Sequence, residues 1–452
     1  MSYIKPEMAR SAILKMKTFH DNIIGVYHDF DMNLLDNLGR RNIVMSQTQE
    51  KFFAQELAKA YGGVREDGRT GQPDIILGEL NKELECKLTS RHKGGAISFQ
   101  YDDTWLDWDA RLPVSLSLPL RADKFTGAAV VAVFENLLPD NDAILKRVAE
   151  RSGATGTDAY SMLSAIGRDC VGALQFLPED ETPAPSSKIE GNVLTEKQID
   201  TLLKNLDVSP LGIRSEHDFR ISIAGAQEKT ALLFHEGQWL EPVGTTPTTH
   251  ILKPQIGKTP SGLDMSHSVE NEYLCMTLMR NFGLNVANVG IERFGKQNVL
   301  IVERFDRLWT RDGRLLRLPQ EDCCQALSVA PTRKYENSGG PGIPAILELL
   351  RGSDDPNKDQ RDFFKANVLF WLIGATDGHA KNFSIQHSPG GRFRMAPLYD
   401  ILTAEADYAA NRIRRKDYKL AMRWGDSGNY KIVDMLHWRC FPSALPEQNY
   451  AV

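Results

Sequence analysis

The spacing of apolar positions changes several times along the chain, and each change marks an element. From Ser46 to Tyr61 the residues Phe52, Phe53, Leu57 and Ala60 recur near helical spacing, and Gly62-Gly63 stops the run, so a helix is expected there. Two short apolar runs follow, Asp74-Ile-Ile-Leu and Leu84 to Leu88, with a turn at Gly78 to Lys82; they read as paired strands. Between about Gly94 and Pro178 a strand-like Ala-Ile-Ser-Phe-Gln-Tyr and the run from Leu112 to Leu120 precede amphipathic helices at Ala128 to Leu138 and Asp158 to Ile166. Pro183 to Asn192, rich in proline and serine, is the expected linker. From Phe219 to about Leu308, strand-like runs (Ile221 to Ala224, Thr230 to Phe234, Thr249 to Leu252, Val299 to Val302) surround one helix near Ser268 to Asn281. After Arg314 the pattern turns helical, with Ala345 to Leu350 and Asp362 to Ile373. The expected class is α+β.

Composition narrows this little. A chain of 452 residues exceeds what one core usually serves. Its net charge of -5 offers no general attraction to nucleic acid or anionic lipid. The six cysteines show no C-x-x-C spacing, which points to reduced thiols and a cytoplasmic setting. No apolar run is long enough to span a bilayer, so no membrane association is expected.

Chemistry enters at Trp371-Leu-Ile-Gly-Ala-Thr-Asp377-Gly-His379-Ala-Lys-Asn382-Phe and Pro397-Leu-Tyr-Asp400. Phosphoryl transfer needs positioning and charge neutralisation more than covalent chemistry. An Asp can take the proton of an acceptor hydroxyl while an Asn and a second Asp hold magnesium, and Asp377, Asn382 and Asp400 supply that set. Such an Asp–Asn pair also arises in ordinary turns and caps. Lys253, ending the run Thr-Thr-His-Ile-Leu-Lys, is placed to reach phosphates from a strand, with Glu270 or Glu272 on the next helix as its partner. A β-rich segment with one helix, followed by helices, matches the plan of a bilobal protein-kinase-like fold.

The chain resembles the HipA family of serine/threonine kinase toxins from about Gly95 to about Leu420. The resemblance rests on Arg168-Asp-Cys-Val-Gly-Ala, Asp218-Phe-Arg-Ile-Ser222-Ile-Ala-Gly-Ala-Gln-Glu-Lys229, Thr246-Pro-Thr-Thr-His-Ile-Leu-Lys253, Arg317-Leu-Pro-Gln-Glu-Asp, Lys334-Tyr-Glu with Gly-Gly-Pro-Gly-Ile, and Gly374 to Asn382, in that order. It implies Asp377 as catalytic base and Asn382 and Asp400 as magnesium ligands. It implies ATP contacts from Lys253, Glu303, Phe305, Gln320 and His379, and from Ala224 and Gly225 in a loop over the phosphates. Ser222 in that loop would be autophosphorylated; the added charge beside ATP would expel the loop. The resemblance further implies a HipB-like DNA-binding antitoxin as partner, contact with DNA only through it, and a protein substrate such as glutamyl-tRNA synthetase.

Both ends depart from the family pattern. The N-terminal residues carry Gly71-Gln-Pro73-Asp74-Ile-Ile-Leu and Glu85-Cys-Lys87, which resembles the PD-(D/E)xK signature of restriction-type nucleases, with Asp74 and Glu85 as metal ligands and Lys87 beside the attacking water. Glu85 and Lys87 equally fit the outward face of a HipA-type strand. The tail after Leu420 is shorter than the family pattern. The expected organisation is therefore 1–92 as a small α/β nuclease-like extension, 93–310 as HipA N-terminal region and kinase N-lobe, and 311–452 as a shortened C-lobe. A catalytically impaired antitoxin-binding protein and a magnesium-dependent DNA endonuclease stand as alternative functions.

Overall fold

The structure, a computed structural model, describes residues 86–431 except 91–96, 179–180, 182, 214–218, 226, 259–263, 415 and 425–428. The chain forms two compact units; the larger comprises Glu85–Trp309, Gly313–Trp424 and Gly428–Val452, and every element below belongs to it.

Its first layer is a three-stranded antiparallel sheet of β1 (Cys86–Ser90), β2 (Ile97–Tyr101) and β3 (Phe125–Thr126). Phe99, Tyr101, Phe125 and Phe134 meet there, with the Phe99 and Tyr101 rings edge to face at 4.8 Å. Three helices follow, α1 (Ala128–Glu135), α2 (Asp142–Ser152) and α3 (Ala159–Ile166). Asn141 and Asp158 cap the last two by accepting hydrogen bonds from first-turn amides, which satisfies donors a helix start otherwise leaves open.

The stretch expected as a linker is pinned instead. The amide of Ala184 donates to Thr245 Oγ1 and that of Glu190 to Thr246 Oγ1, and the chain then enters β4 (Gly191–Val193), paired with a later strand. After α4 (Glu196–Lys204), opened by a Thr195–Gln198 capping box, come β5 (Thr230–His235), β6 (Gln238–Pro242), β7 (His250–Pro254), α5 (Ser268–Asn281), β8 (Val289–Phe294) and β9 (Gln297–Glu303). The strands form one antiparallel sheet in the order β8-β9-β7-β5-β6-β4.

Strand alternation splits the residues of β9 between two cores. Val299 and Ile301 pack with Ile199, Leu202 and Leu203 of α4, while Leu300 and Val302 join Cys275, Met276 and Met279 of α5 in the larger core. Each such buried aliphatic contributes about 1.5–3 kcal/mol relative to exposure. A hairpin of β10 (Arg307–Trp309) and β11 (Leu315–Arg317) precedes β12 (Gln320–Asp322), α6 (Cys323–Ala326), α7 (Ile343–Leu350) and α8 (Pro356–Ile373). Then β13 (Ser384–Ser388) and β14 (Arg392–Met395) complete a sheet β12-β13-β14, and β15 (Lys419–Trp424) follows. Phe363, Leu369 and Phe370 of α8 fill the larger core beside Phe383 and Ile385.

Candidate active site

The long helix α8 delivers the Asp377 loop. Gly374 ends the helix at φ 68°, its amide donating to the Phe370 carbonyl, a left-handed turn that glycine adopts at least cost. A Cβ at that position would collide with the Tyr418 hydroxyl. The loop is then tied to itself: the His379 amide donates to the Asp377 carbonyl at 2.8 Å and the Asn382 amide to that of His379 at 2.9 Å. Asn382 Nδ2 donates to the Asp377 carbonyl at 2.7 Å and to the Asp400 carbonyl at 3.5 Å. With its amide donor committed in this way, Asn382 keeps its side-chain carbonyl oxygen as an acceptor.

Asp400 comes from a different direction. Beyond β14, Leu398 bridges to Val286, Tyr399 Oη donates to the Lys381 carbonyl at 2.7 Å, and Asp400 follows at φ 59°, a conformation uncommon outside glycine and one that recurs at functional sites. Its Oδ1 accepts from Lys253 Nζ at 2.7 Å, and the same ammonium donates to Glu272 Oε1 at 2.8 Å. The sequence left the partner open between two glutamates. Glu272 pairs with Lys253, whereas Glu270 accepts from Gln255 and Asn298.

Lys253 is 6% exposed and Glu272 2%. Burial would drive the ammonium to lose its proton, but Asp400 and Glu272 outweigh it and hold Lys253 above its ordinary range. Burial would likewise raise Asp400; Lys253 and then Lys229 reverse this and keep it well below the carboxylate range. Lys229, whose Nζ donates to the Ala224 carbonyl at 2.9 Å, is pushed down to about 8 by burial and by the neighbouring charge of Lys253.

Asp377 is set apart by its exposure. Protein crowds around it, yet 58% of its side-chain surface is open. Crowding pushes its carboxyl up, the Tyr335 hydroxyl pulls it down, and Asp400 pushes it up again. His379, buried beside it with Nε2 3.9 Å from Asp377 Oδ1, is driven down to about 3 by burial and by Lys334, so the ring is neutral at pH 7. Its Nδ1 is buried and has no hydrogen-bond partner among the described residues.

The loop from Ser222 to Lys229 lies against the N-terminal region. It forms single bridges, Cys170 to Ser222 and Pro139 to Gly225, in place of the strand expected at Ile221 to Ala224, because among the described residues no partner runs beside it long enough to make a ladder. Ser222 is fully buried; its amide donates to the Asp169 carbonyl and its Oγ to the Leu137 carbonyl at 2.8 Å. The Gly225 carbonyl accepts from the Asp140 amide at 3.2 Å.

Glu303 closes β9, opposite His250, with Oε2 accepting from Asn288 at 3.0 Å. Phe305 packs on the larger core, its ring 5.9 Å from Tyr399. Gln320 begins β12 opposite Gln386, and its Oε1 is buried with no partner among the described residues. Asp74 and Glu85 lie outside the described residues; Lys87 stands in β1 opposite Gln100. Sequence reasoning assigned no role to Tyr335, whose hydroxyl donates to Asp377 Oδ1, nor to Lys381, which donates to Asp322 Oδ2 and to both oxygens of Asn136. The motif Lys334-Tyr-Glu pointed at the first of these without saying what it touches. Among the described residues no group of three or more His, Cys, Asp or Glu is arranged for a metal, and no helix is long and apolar enough to cross a membrane.

Comparison with known proteins shows the family. The HipA-like C-terminal domain matches residues 221–449 and the HipA N-terminal domain residues 80–177, so Glu85 and Lys87 fall inside the second match. A putative kinase of Sinorhizobium fredii, Y4mE, is 36% identical over 78% of this chain and 81% of its own length. The serine/threonine-protein kinase toxin HipA of Shewanella oneidensis is 27% identical over 74% of each chain. A solved structure of the Shewanella oneidensis HipA, HipB and operator DNA complex superposes with a TM-score of 0.63 at 25% identity, covering 78% of this chain and 80% of that one. The chain belongs to the HipA family.

Proposed function

We propose that this protein is an ATP- and magnesium-dependent serine/threonine kinase acting as the toxin of a HipA/HipB-type pair. The observation that carries the reading is the buried Lys253 ammonium held between Glu272 on α5 and Asp400, with Asn382 hydrogen-bonded to the backbone of both Asp377 and Asp400. In this reading the six-stranded sheet with α5 serves as the nucleotide-binding lobe and the helical part supplies acceptor chemistry.

Lys253 neutralises the α- and β-phosphates, and Lys229 adds a second cation nearby. Asp377, open to solvent and 3.9 Å from a neutral His379, takes the proton of the acceptor hydroxyl as its oxygen bonds to the γ-phosphorus and ADP departs. The carbonyl oxygen of Asn382 and the carboxylate of Asp400 suit magnesium, which is commonly held by one or two carboxylates together with substrate phosphates. Held by Asn382 and Asp400, magnesium would supply charge that neutralises the phosphates. Glu303 and Phe305 are assigned to the adenine end and Ala224, Gly225, Gln320 and His379 to the remaining nucleotide contacts.

Ser222 is the proposed autophosphorylation site. Its full burial means that the loop must leave the N-terminal region before the hydroxyl can meet ATP, and a phosphate would then oppose its return. A HipB-like antitoxin is the proposed partner, in line with the assembly of the Shewanella protein, and a protein such as glutamyl-tRNA synthetase the proposed substrate. Incubation with magnesium and ATP should add one phosphate, located at Ser222 by peptide mass mapping and absent from Ser222→Ala. Asp377→Asn should slow transfer by about 10²–10⁴-fold; transfer at the unaltered rate would remove Asp377 from the mechanism.

A further inference from the structure

Tyr335 makes with Asp377 the contact that an acceptor hydroxyl would have to make. Its Oη donates to Asp377 Oδ1, and its ring stands edge-on to His379 at 4.8 Å and 89°. Nothing in the chemistry of holding Asp377 requires this, because the loop is already tied through the Asn382 and His379 hydrogen bonds.

The residues on either side show how the hydroxyl is kept in place. Lys334 Nζ donates to Asp140 Oδ2 at 2.8 Å, and its carbonyl accepts from the Ala380 amide. Glu336 accepts from the Arg423 amide and pairs with Arg423 Nε, both at 2.7 Å. The strap turns back sharply afterwards: the Gly340 amide donates to the Tyr335 carbonyl at 2.9 Å, and a Cβ on Gly340 would overlap the backbone of Arg333. Three consecutive residues thus fasten to the N-terminal region, to Asp377 and to β15. Their anchors are short and polar, which makes the strap specific in position; the Glu336–Arg423 pair, with Arg423 47% exposed, is the weaker one, while Lys334 and Asp140 are largely buried at 14% and 5%.

We propose that Tyr335 occupies the acceptor-hydroxyl position at Oδ1 of Asp377, so that a protein substrate or water reaches that oxygen only by displacing it. The inference rests on the kinase reading and deepens it by making Tyr335 a determinant of which acceptors enter. With Tyr335 displaced, a water oxygen bonds to the γ-phosphorus, its proton passes to Asp377, the bond from γ-phosphorus to the bridging oxygen breaks, and ADP and phosphate leave.

The test is ATP hydrolysis by the full chain with magnesium and no protein acceptor, read as phosphate release. Tyr335→Phe keeps the ring against His379 and removes only Oη. It should raise hydrolysis by roughly tenfold or more, the equivalent of a hydrogen bond to a charged group, and adding Asp377→Asn should abolish the gain. Glu336→Ala, which frees one anchor without touching the site, should raise hydrolysis in the same direction and by less. A residue that merely supported the fold would give losses in both variants. Wild-type autophosphorylation with no gain in either variant overturns this inference alone. A wild-type protein that transfers phosphate neither to itself nor to water overturns the kinase reading, and this inference falls with it.

Discussion

At the scale of single residues, the site contrasts a buried charge with an open one. Lys253 touches the buried carboxylate of Glu272 and the partly buried one of Asp400, and removing it would take this counter-ion from both. Lys253→Ala should therefore cost about 3–5 kcal/mol of stability as well as activity. Glu272→Gln in the same background should recover part of that loss, because it removes one of the stranded charges. Urea unfolding of the two single variants and the double variant would give the coupling directly; additive losses would show that the pair is not linked as described. Asp377 is the opposite case, more than half exposed, so Asp377→Asn should change stability by no more than about 0.5 kcal/mol while transfer collapses. Asp377, Asn382 and Lys253 were legible in the sequence because short motifs hold them. Tyr335 was not, since 42 residues separate it from the carboxylate it meets and no spacing rule spans that interval.

At the scale of elements, the delivery of the Asp377 loop depends on how α8 stops. Gly374 combines a positive φ with a space that the Tyr418 hydroxyl already fills, and that hydroxyl donates to Glu405 Oε2 at 2.5 Å. Gly374→Ala would strain the turn and displace this contact, so a loss of more than about 1 kcal/mol is expected, together with a fall in transfer from a misplaced Asp377. Thermal unfolding and kinase rates would report the two separately; full activity with a lowered melting temperature would mean that the loop tolerates a displaced helix end. The helix itself illustrates what periodicity conveys. Its apolar half, from Asp362 to Ile373, was readable, but the helix starts at Pro356. The first turn is polar, and its signal is the capping Asp355, which accepts from the Lys358 amide, followed by proline at the first helical position. The strand expected at Ile221 to Ala224 failed for another reason: a run of apolar residues records burial, and these are buried by docking on Leu137 and Asp169 and not by a ladder.

At the scale of the whole unit, a buried ionic network joins segments far apart in sequence. Asp169, from the motif after α3, accepts from Arg304, Arg307 and Arg317 and from both the amide and hydroxyl of Thr248. Asp306 pairs with Arg304 and Arg307 and accepts from the Gly172 amide at 2.7 Å. The motif Arg168-Asp-Cys was visible in the sequence, but charged residues read as exposed by default, and only the fold shows three guanidinium groups gathered on two carboxylates. Burial alone would raise Asp169; Arg307, Arg304 and Arg317 in turn reverse this and hold it well below the ordinary range. Asp306 is lowered for the same reason. A depressed folded value means that these carboxylates contribute fully above their unfolded value of about 3.9, and that the contribution is lost as pH falls below it toward the folded value. The protein should thus lose stability from about pH 4 downward. Asp169→Asn, which leaves three arginines to one carboxylate, should cost about 3–5 kcal/mol at pH 7, and its deficit relative to wild type should shrink by up to about 1.4 kcal/mol per pH unit below pH 4. Unfolding midpoints measured in urea at pH 7, 5 and 3 would show the convergence. A deficit that stayed constant down to pH 3 would place the acid sensitivity elsewhere and reduce Asp169 to an ordinary hydrogen-bond acceptor.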